Sequence, residues 1–307
     1  MTAPATILAA DWAKDFGKRA VWAADVNART VRHVPASEGW TLAGLVTAAE
    51  SQVRKPVLIA IDVVLGVPSA YFDRRGEVDG WGAASTFIDW LPGAARSKRF
   101  FGAGSDCHEW SIAYPFFAVP KGVGGRRSFA MTAGFDFLRD VDRRCRGNPV
   151  FIVSGIPGSV GSASRALWRE LAPMLESDRS FRVWPFEGDL AQLLREAPTT
   201  IAEMYPRIAY AIAVAPTLPT RREAPRKKGE ASVREMWVSR FRASQWLKRF
   251  SVTILDDERA VGSEDDFDSM FTAAALLRCL LENVPLAGGS VDARAEGGIV
   301  GTEAIVF

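Results

Sequence analysis

The stretch PVLIAIDVVLGVP, residues 56–68, constrains the fold most. It is apolar without alternation over the length of a strand, and it breaks at Gly66 and Pro68. A strand with one wet face alternates polar and apolar residues. One without alternation is covered on both faces, as parallel strands are in α/β folds. The centre of this run nevertheless carries Asp62. A second apolar run has the same oddity: Ile7-Leu8-Ala9-Ala10 ends on Asp11, passes a polar turn at Asp15-Phe16-Gly17-Lys18 and returns as Ala20-Val21-Trp22, which reads as a hairpin. An unpaired carboxylate at a buried strand is expensive to desolvate, so both acids require partners from elsewhere in the chain.

Residues 29–34 supply a third strand and complete a meander. Residues 41–53 place Leu42, Leu45, Val46 and Ala49 on one helical face, so the first third reads β-β-β-α-β. Residues 149–155 read as a further buried strand and 162–175 as a helix with Leu167, Leu171 and Leu175 in one stripe. Short strands follow at 181–188 and 199–206, with Glu203 late in the second, and helices at about 232–250 and 264–283. Residues 69–147, rich in Gly, Arg and aromatics and without clear periodicity, read as an insertion in a single domain spanning 1–307. Residues 216–231 hold three prolines and five basic residues among few apolar ones, the composition of a mobile loop.

A chain of 307 residues, 48% of them hydrophobic, can bury a substantial core. Its 38 Lys and Arg against 36 Asp and Glu leave it near neutrality, so a nucleic-acid partner would need a local basic patch. Cys107, Cys145 and Cys279 are too few and too widely spaced for a disulfide framework or a zinc ribbon. No basic leader precedes the first apolar stretch, and no apolar run reaches the roughly 18 residues of a membrane span. A soluble, cytoplasmic protein is expected.

The stretch GSEDDFDSMFTAAALLRCLL, residues 262–281, joins these threads. Ser263 is a good N-cap with Asp266 three residues on, and Phe267, Met270, Phe271, Ala274, Leu277 and Leu281 form an apolar stripe. Asp265 and Asp268 share a face near the edge of that stripe. Acids in a first turn also complement the helix dipole, which is reason enough for Asp265 and Asp266. Asp268 adjoins the core-facing side and is followed by small residues that permit close approach to a sheet. If this helix packs beside the strands of Asp11 and Asp62, the three carboxylates converge, and their repulsion calls for protons or a cation. Oxygen ligands without paired His or Cys point to Mg²⁺ or Mn²⁺. Taken singly, Asp11 or Asp62 could equally accept backbone N–H bonds at a strand end.

The segments AADWA, IAIDVVLGVPSAYF, IAEMYPRIAY, EDDFDSMFTAAALL and EGGIVG resemble the family called domain of unknown function 429, predicted nucleases of the ribonuclease-H-like superfamily. The likeness spans the chain ends and middle but not 69–147 or 216–231. It implies a mixed five-stranded sheet flanked by helices, with acids from strand one, strand four and a C-terminal helix around two Mg²⁺ or Mn²⁺ ions. It thereby implies roles for Asp11, Asp62 and Asp265 with Asp268, and makes Glu203 a further ligand candidate. Two positions depart from the family pattern: Trp12-Ala13-Lys14 follows the first aspartate where glycine is usual, and Gly298 stands in place of a tryptophan.

The function expected on this basis is metal-dependent phosphodiester hydrolysis of nucleic acid, catalysed through Asp11, Asp62 and Asp268. Arg221, Arg222, Arg226, Lys227 and Lys228 of the basic loop would contact phosphates. Two other classes compete. An actin-like or sugar-kinase-like phosphotransferase also begins with an Asp-bearing hairpin, and Ala287-Gly288-Gly289-Ser290 could imitate its adenosine loop, but the chain shows no duplicated halves. A non-catalytic scaffold would keep the acids for structure or for a partner. Among weaker signals, residues 155–164 form a Gly/Ser loop without the Lys-Ser/Thr ending of a P-loop, and Lys121–Arg127 is a Gly/Arg loop.

Overall fold

The structure, a computed structural model, describes residues 3–120, 136–156, 159–177, 179–287 and 292–307. Lys121–Arg127 and Gly288-Gly289-Ser290 lie outside the described residues. The chain divides into two compact units, Met1–Asp62 with Ser180–Gly288 and Ile299–Phe307, and Val63–Arg179 with Gly289–Gly298. The residues expected as an insertion, 69–147, fall wholly within the second.

The first unit is built on a sheet of seven strands. In chain order these are β1 (Thr6–Asp11), β2 (Ala20–Asp25), β3 (Thr30–His33), β4 (Val57–Asp62), β5 (Phe181–Val183), β6 (Thr199–Glu203) and β7 (Thr253–Ile254). Their spatial order is β7-β3-β2-β1-β4-β6-β5. The meander β1-β2-β3 is antiparallel, and every other pairing is parallel. The fold is thus α/β with a mixed central sheet, as expected, but seven strands stand where five were implied. The additions are the short edge strands β5 and β7.

Strand β4 ends at Asp62 although the apolar run continues to Pro68. Val63, Val64, Leu65 and Val67 are buried, but in the second unit, so the run records burial rather than strand length. Likewise residues 149–155 do not join the central sheet. Ile152–Ser154 pairs in parallel with Phe117–Ala118 as a small separate sheet, while Pro149 to Ile152 turn through a backbone hydrogen bond and Val150 and Phe151 enter the aromatic core of the second unit.

Helices α1 (Leu42–Glu50), α2 (Leu190–Glu196), α3 (Pro206–Val214), α4 (Ala231–Arg242), α5 (Gln245–Arg249), α6 (Glu258–Gly262) and α7 (Glu264–Leu281) belong to the first unit. The helix expected over 232–250 is broken at Ser244, whose backbone is extended, into α4 and α5. Helix α7 starts where expected: the Ser263 hydroxyl accepts from the Asp266 N–H at 3.2 Å. It is buried around its whole circumference from Asp266 to Cys279, because it lies between the sheet (β1, β2, β3) and α3. Helix α3 begins with Pro206 at its first position and, after the exposed Arg207, is buried from Ile208 to Val214, so it carries little period to read. The buried Arg278 of α7 closes its other end, donating to the carbonyls of Ile212 and Ala215 at 2.7 and 2.6 Å. Those carbonyls have no partner within α3's last turn, and the cation suits the negative end of the helix.

In the second unit, Ser69–Asp73, Phe87–Ala95 and Gly161–Glu176 are helices around an aromatic core that includes Tyr71, Trp90, Phe100, Phe116, Phe151 and Trp168. The rings meet mainly edge to face, for instance Trp90 and Phe100 at 5.2 Å between centroids. Beside them Arg139 is fully buried and grips Asp142 with two parallel hydrogen bonds of 2.9 and 2.8 Å. It also donates to the Glu296 carbonyl at 2.9 Å, and the Glu296 carboxylate accepts from the Ser69 N–H, the Ser69 hydroxyl and the Asp140 N–H.

Candidate metal centre

Parallel pairing of β1 with β4 sets Asp11 directly opposite Asp62. Residues opposite one another in a parallel pair leave the sheet on the same side, so the two carboxyls become neighbours at the carboxyl ends of adjacent strands. Helix α7, packed across β1 and β2, brings Asp268 to the same place. One carboxylate oxygen of each of Asp11, Asp62 and Asp268 lies within 4.8 Å of the other two. Asp268 is 3% exposed; the two strand acids are half-buried. Asp265, one turn earlier on α7, shares a hydrogen bond with Asp11.

The electrostatics are those of crowded acids. Burial, then the charges of Asp268, Asp62 and Asp265, hold the Asp11 carboxyl well above the usual carboxylate range. Burial and Asp268 push Asp62 up to about 7. Asp268 and Asp265 are raised as well, chiefly by burial. A hydrogen bond joins Asp11 to Asp62 and another joins Asp11 to Asp265, and a bond between two carboxyls exists only while one holds a proton.

Two groups that the sequence reading did not place here attend Asp268. The Tyr210 hydroxyl donates to one of its oxygens and the Lys228 ammonium pairs with the other. Tyr210 sits on α3, which Arg278 ties to α7. Pro206 and, after Arg207, the run Ile208–Val214 were the signal for that helix. Lys228 corrects an expectation: it is turned inward and half-buried, not spread on a mobile loop. Its carbonyl and that of Gly229 accept from the buried Arg234 at 2.8 and 3.0 Å, which pins the end of the 216–231 segment. The start is pinned too, because Thr220–Arg221 pairs with Ile305–Val306. Burial works against the ammonium, but Asp268, Asp11 and Asp62 together keep its pKa above that of a free lysine. Of the other basic residues in the segment, Lys227 pairs with Glu230 at 3.3 Å, Arg222 is half-buried, and Arg221 and Arg226 are exposed.

Glu203 is buried at the end of β6, in register with Ile61 and so one residue short of Asp62. Its charge raises Asp62, but it is not among the three acids whose oxygens converge. Asp266 has a different duty from its neighbours: it accepts from the buried Trp22 indole at 2.9 Å and faces His33 at 3.6 Å.

The donor set fits a hard divalent cation. It is all carboxylate oxygen, carries more negative charge than Lys228 neutralises, and is held by a strand pair and a helix that are themselves core. No family model, no curated protein and no solved structure matches the chain.

Proposed function

We propose that the chain is a divalent-metal-dependent phosphodiesterase acting on nucleic acid, of the ribonuclease-H-like kind that its motifs resemble. The observation that carries this reading is the convergence of Asp11, Asp62 and Asp268 from strand one, strand four and a C-terminal helix. These three are the proposed ligands of Mg²⁺ or Mn²⁺, in the two-ion form the resemblance implies, with Asp265 and Glu203 as the nearest additional acids. Bound ions would supply an activated water and stabilise the leaving oxygen. The chain's own part is to fix the carboxylates: Tyr210 orients Asp268, and Lys228 limits the repulsion within the cluster.

A second reading has one observation in its favour. Because Lys228 already sits on Asp268, the cluster carries part of its own counter-charge, as an acid group kept for structure in a non-catalytic scaffold would. Turnover separates the two. Hydrolysis of bis(4-nitrophenyl) phosphate and of labelled oligonucleotides, measured in Mn²⁺ and in chelator, should require the metal and drop at least about 100-fold in Asp62→Asn, as loss of a transition-state electrostatic group typically does. Absence of metal-dependent turnover in the wild type, or full turnover in the variant, would leave the scaffold reading standing.

A further inference from the structure

A cleft of about 480 Å³ opens in the first unit between the turn Phe16–Lys18, residues 35–40 and the starts of α6 and α7. Its volume is within the roughly 300–1,000 Å³ of small-ligand pockets. Its charged and titratable lining is of both signs: Lys18, His33 and Arg259 against Glu38, Asp265 and Asp266, with the buried Arg19 behind. Asp265 belongs both to this lining and to the acid group, through its hydrogen bond with Asp11. Asp265 is thus the residue that the cleft and the candidate metal centre share.

Three features single it out. First, Lys18 and Arg259 are exposed, and among the described residues neither side chain makes an ion pair or hydrogen bond. By contrast, Arg242 grips Asp257 with two bonds of 2.6 Å, and Arg19 donates to the Ala13 and Trp40 carbonyls at 2.7 Å each while its guanidinium lies 3.9 Å from the Trp12 ring centre. Second, the walls are set in advance. Gly39 has a φ of +82°, and a Cβ there would fall 2.5 Å from the Phe16 carbonyl oxygen, so the 35–40 segment is seated directly on the 16–18 turn. Arg19 ties that segment, through Trp40, to the end of the first strand. Third, the ring that reaches the cleft, Trp40, is 8% exposed and offers no open face for a base to stack on.

A simple anion would meet three carboxylates here, and a simple cation would meet Lys18 and Arg259. One ligand satisfies both walls: a phosphodiester chain whose reacting phosphate lies at the metal-binding acids and whose neighbouring phosphates lie at the cations. We propose that this cleft, with Lys18 and Arg259, holds the sugar–phosphate backbone flanking the reacting phosphodiester. The inference rests on the phosphodiesterase reading and adds to it the binding track. Since backbone phosphates and not base edges are held, binding is tolerant of sequence.

The test is the salt dependence of binding of a labelled single-stranded oligonucleotide, as DNA and as RNA, measured by fluorescence anisotropy in Ca²⁺. Loss of both cations in Lys18→Ala/Arg259→Ala should make the log–log slope shallower by about 1.4, or ~0.7 for each phosphate left without its cation. Arg221→Ala/Arg226→Ala, in the basic segment outside the cleft, is the comparison and should change the slope by less than half as much. Lys18→Gln/Arg259→Gln repeats the measurement with longer neutral side chains should the alanine variant melt early. An unchanged slope in a natively melting cleft variant, a larger change in the Arg221/Arg226 variant, or no binding by the wild type would each overturn the proposal. Turnover of bis(4-nitrophenyl) phosphate by the wild type in Mn²⁺ judges the enzymatic reading separately. Turnover with an unchanged slope removes the cleft alone, whereas a changed slope without turnover removes the enzyme and keeps the cleft.

Discussion

In the second unit, Asp142 and Glu296 are buried against donors: Arg139 faces one with three N–H groups, and Ser69 and Asp140 face the other with two N–H groups and a hydroxyl. In the first unit, Asp11, Asp62 and Asp268 are gathered against each other, with one ammonium and one phenol among them. Both arrangements remove carboxylates from water, but only the first returns the lost hydrogen bonds in full. Burial with matched donors stabilises a fold and has no further use. Burial against like charge stores a demand for protons or a cation, and it persists only where the surrounding strands and helix are stable enough to bear it.

The contrast can be broken from either side. The largest effect is expected at Arg139. Arg139→Met leaves Asp142 buried without its cation, which typically costs about 3–5 kcal/mol, and denaturant unfolding followed by the aromatic signal of the second unit should register it. A loss under about 1 kcal/mol would mean that the pair is not the anchor its geometry suggests.

Next in size is the metal. At a hundredfold excess over its dissociation constant, Mg²⁺ or Mn²⁺ should stabilise the wild type by roughly 2.7 kcal/mol, and Asp268→Asn should lose most of that increment. Equal increments in thermal melts of the two proteins would place the ion elsewhere.

The dependence on pH sharpens the same point. Asp62 has a folded pKa of about 7, above the ordinary carboxylate value, so between roughly pH 4 and 7 the folded state holds a proton that the unfolded chain has released. In chelator, stability should therefore be greatest at the acid end of this window and fall as pH rises through it. Asp11, held well above the usual carboxylate range by burial and by Asp268, Asp62 and Asp265, adds to the decline, so Asp11→Asn should flatten it and leave the metal-free protein as stable as the wild type or slightly more so. If the variant instead melts lower in chelator across this range, Asp11 is a structural acid.

The smallest effect is a control on the same helix. Trp22→Phe removes the indole donor to Asp266 and should cost about 0.5–1.5 kcal/mol without altering the metal increment, since Asp266 is bound into the core and not into the cluster.

Most of the acid centre was legible in the chain because its signals are local. An apolar run ending on an acid marks Asp11, an interrupted one marks Asp62, and a capped amphipathic start places Asp268. What remained hidden depends on packing across long sequence distances. Tyr210 lies on a helix whose only charged residue is Arg207 and which shows little period. Lys228 stands in a segment whose composition reads as loop, and only the buried Arg234 and the pairing of Thr220–Arg221 with Ile305–Val306 show that it is held. In the second unit the Leu stripe of 162–175 revealed the helix Gly161–Glu176, but the aromatic core around it was illegible for a related reason: it is built of scattered rings, which reveal no spacing until they meet. Asp265 and Asp266 looked alike in sequence as acids of a helix's first turn, and it is the Trp22 indole and His33 that set Asp266 apart.

Asp11 and Asp62 are far from Asp268 in sequence, although the three converge in space. A ribosome that has made β1 and β4 has made two of the three convergent acids, but the third arrives only with α7, long after them. Chains are made from the N-terminus and fold as they lengthen, so a nascent or prematurely stopped product carries the strands without the centre. The acid group is thus assembled only once α7 has been made and has packed on strands formed much earlier.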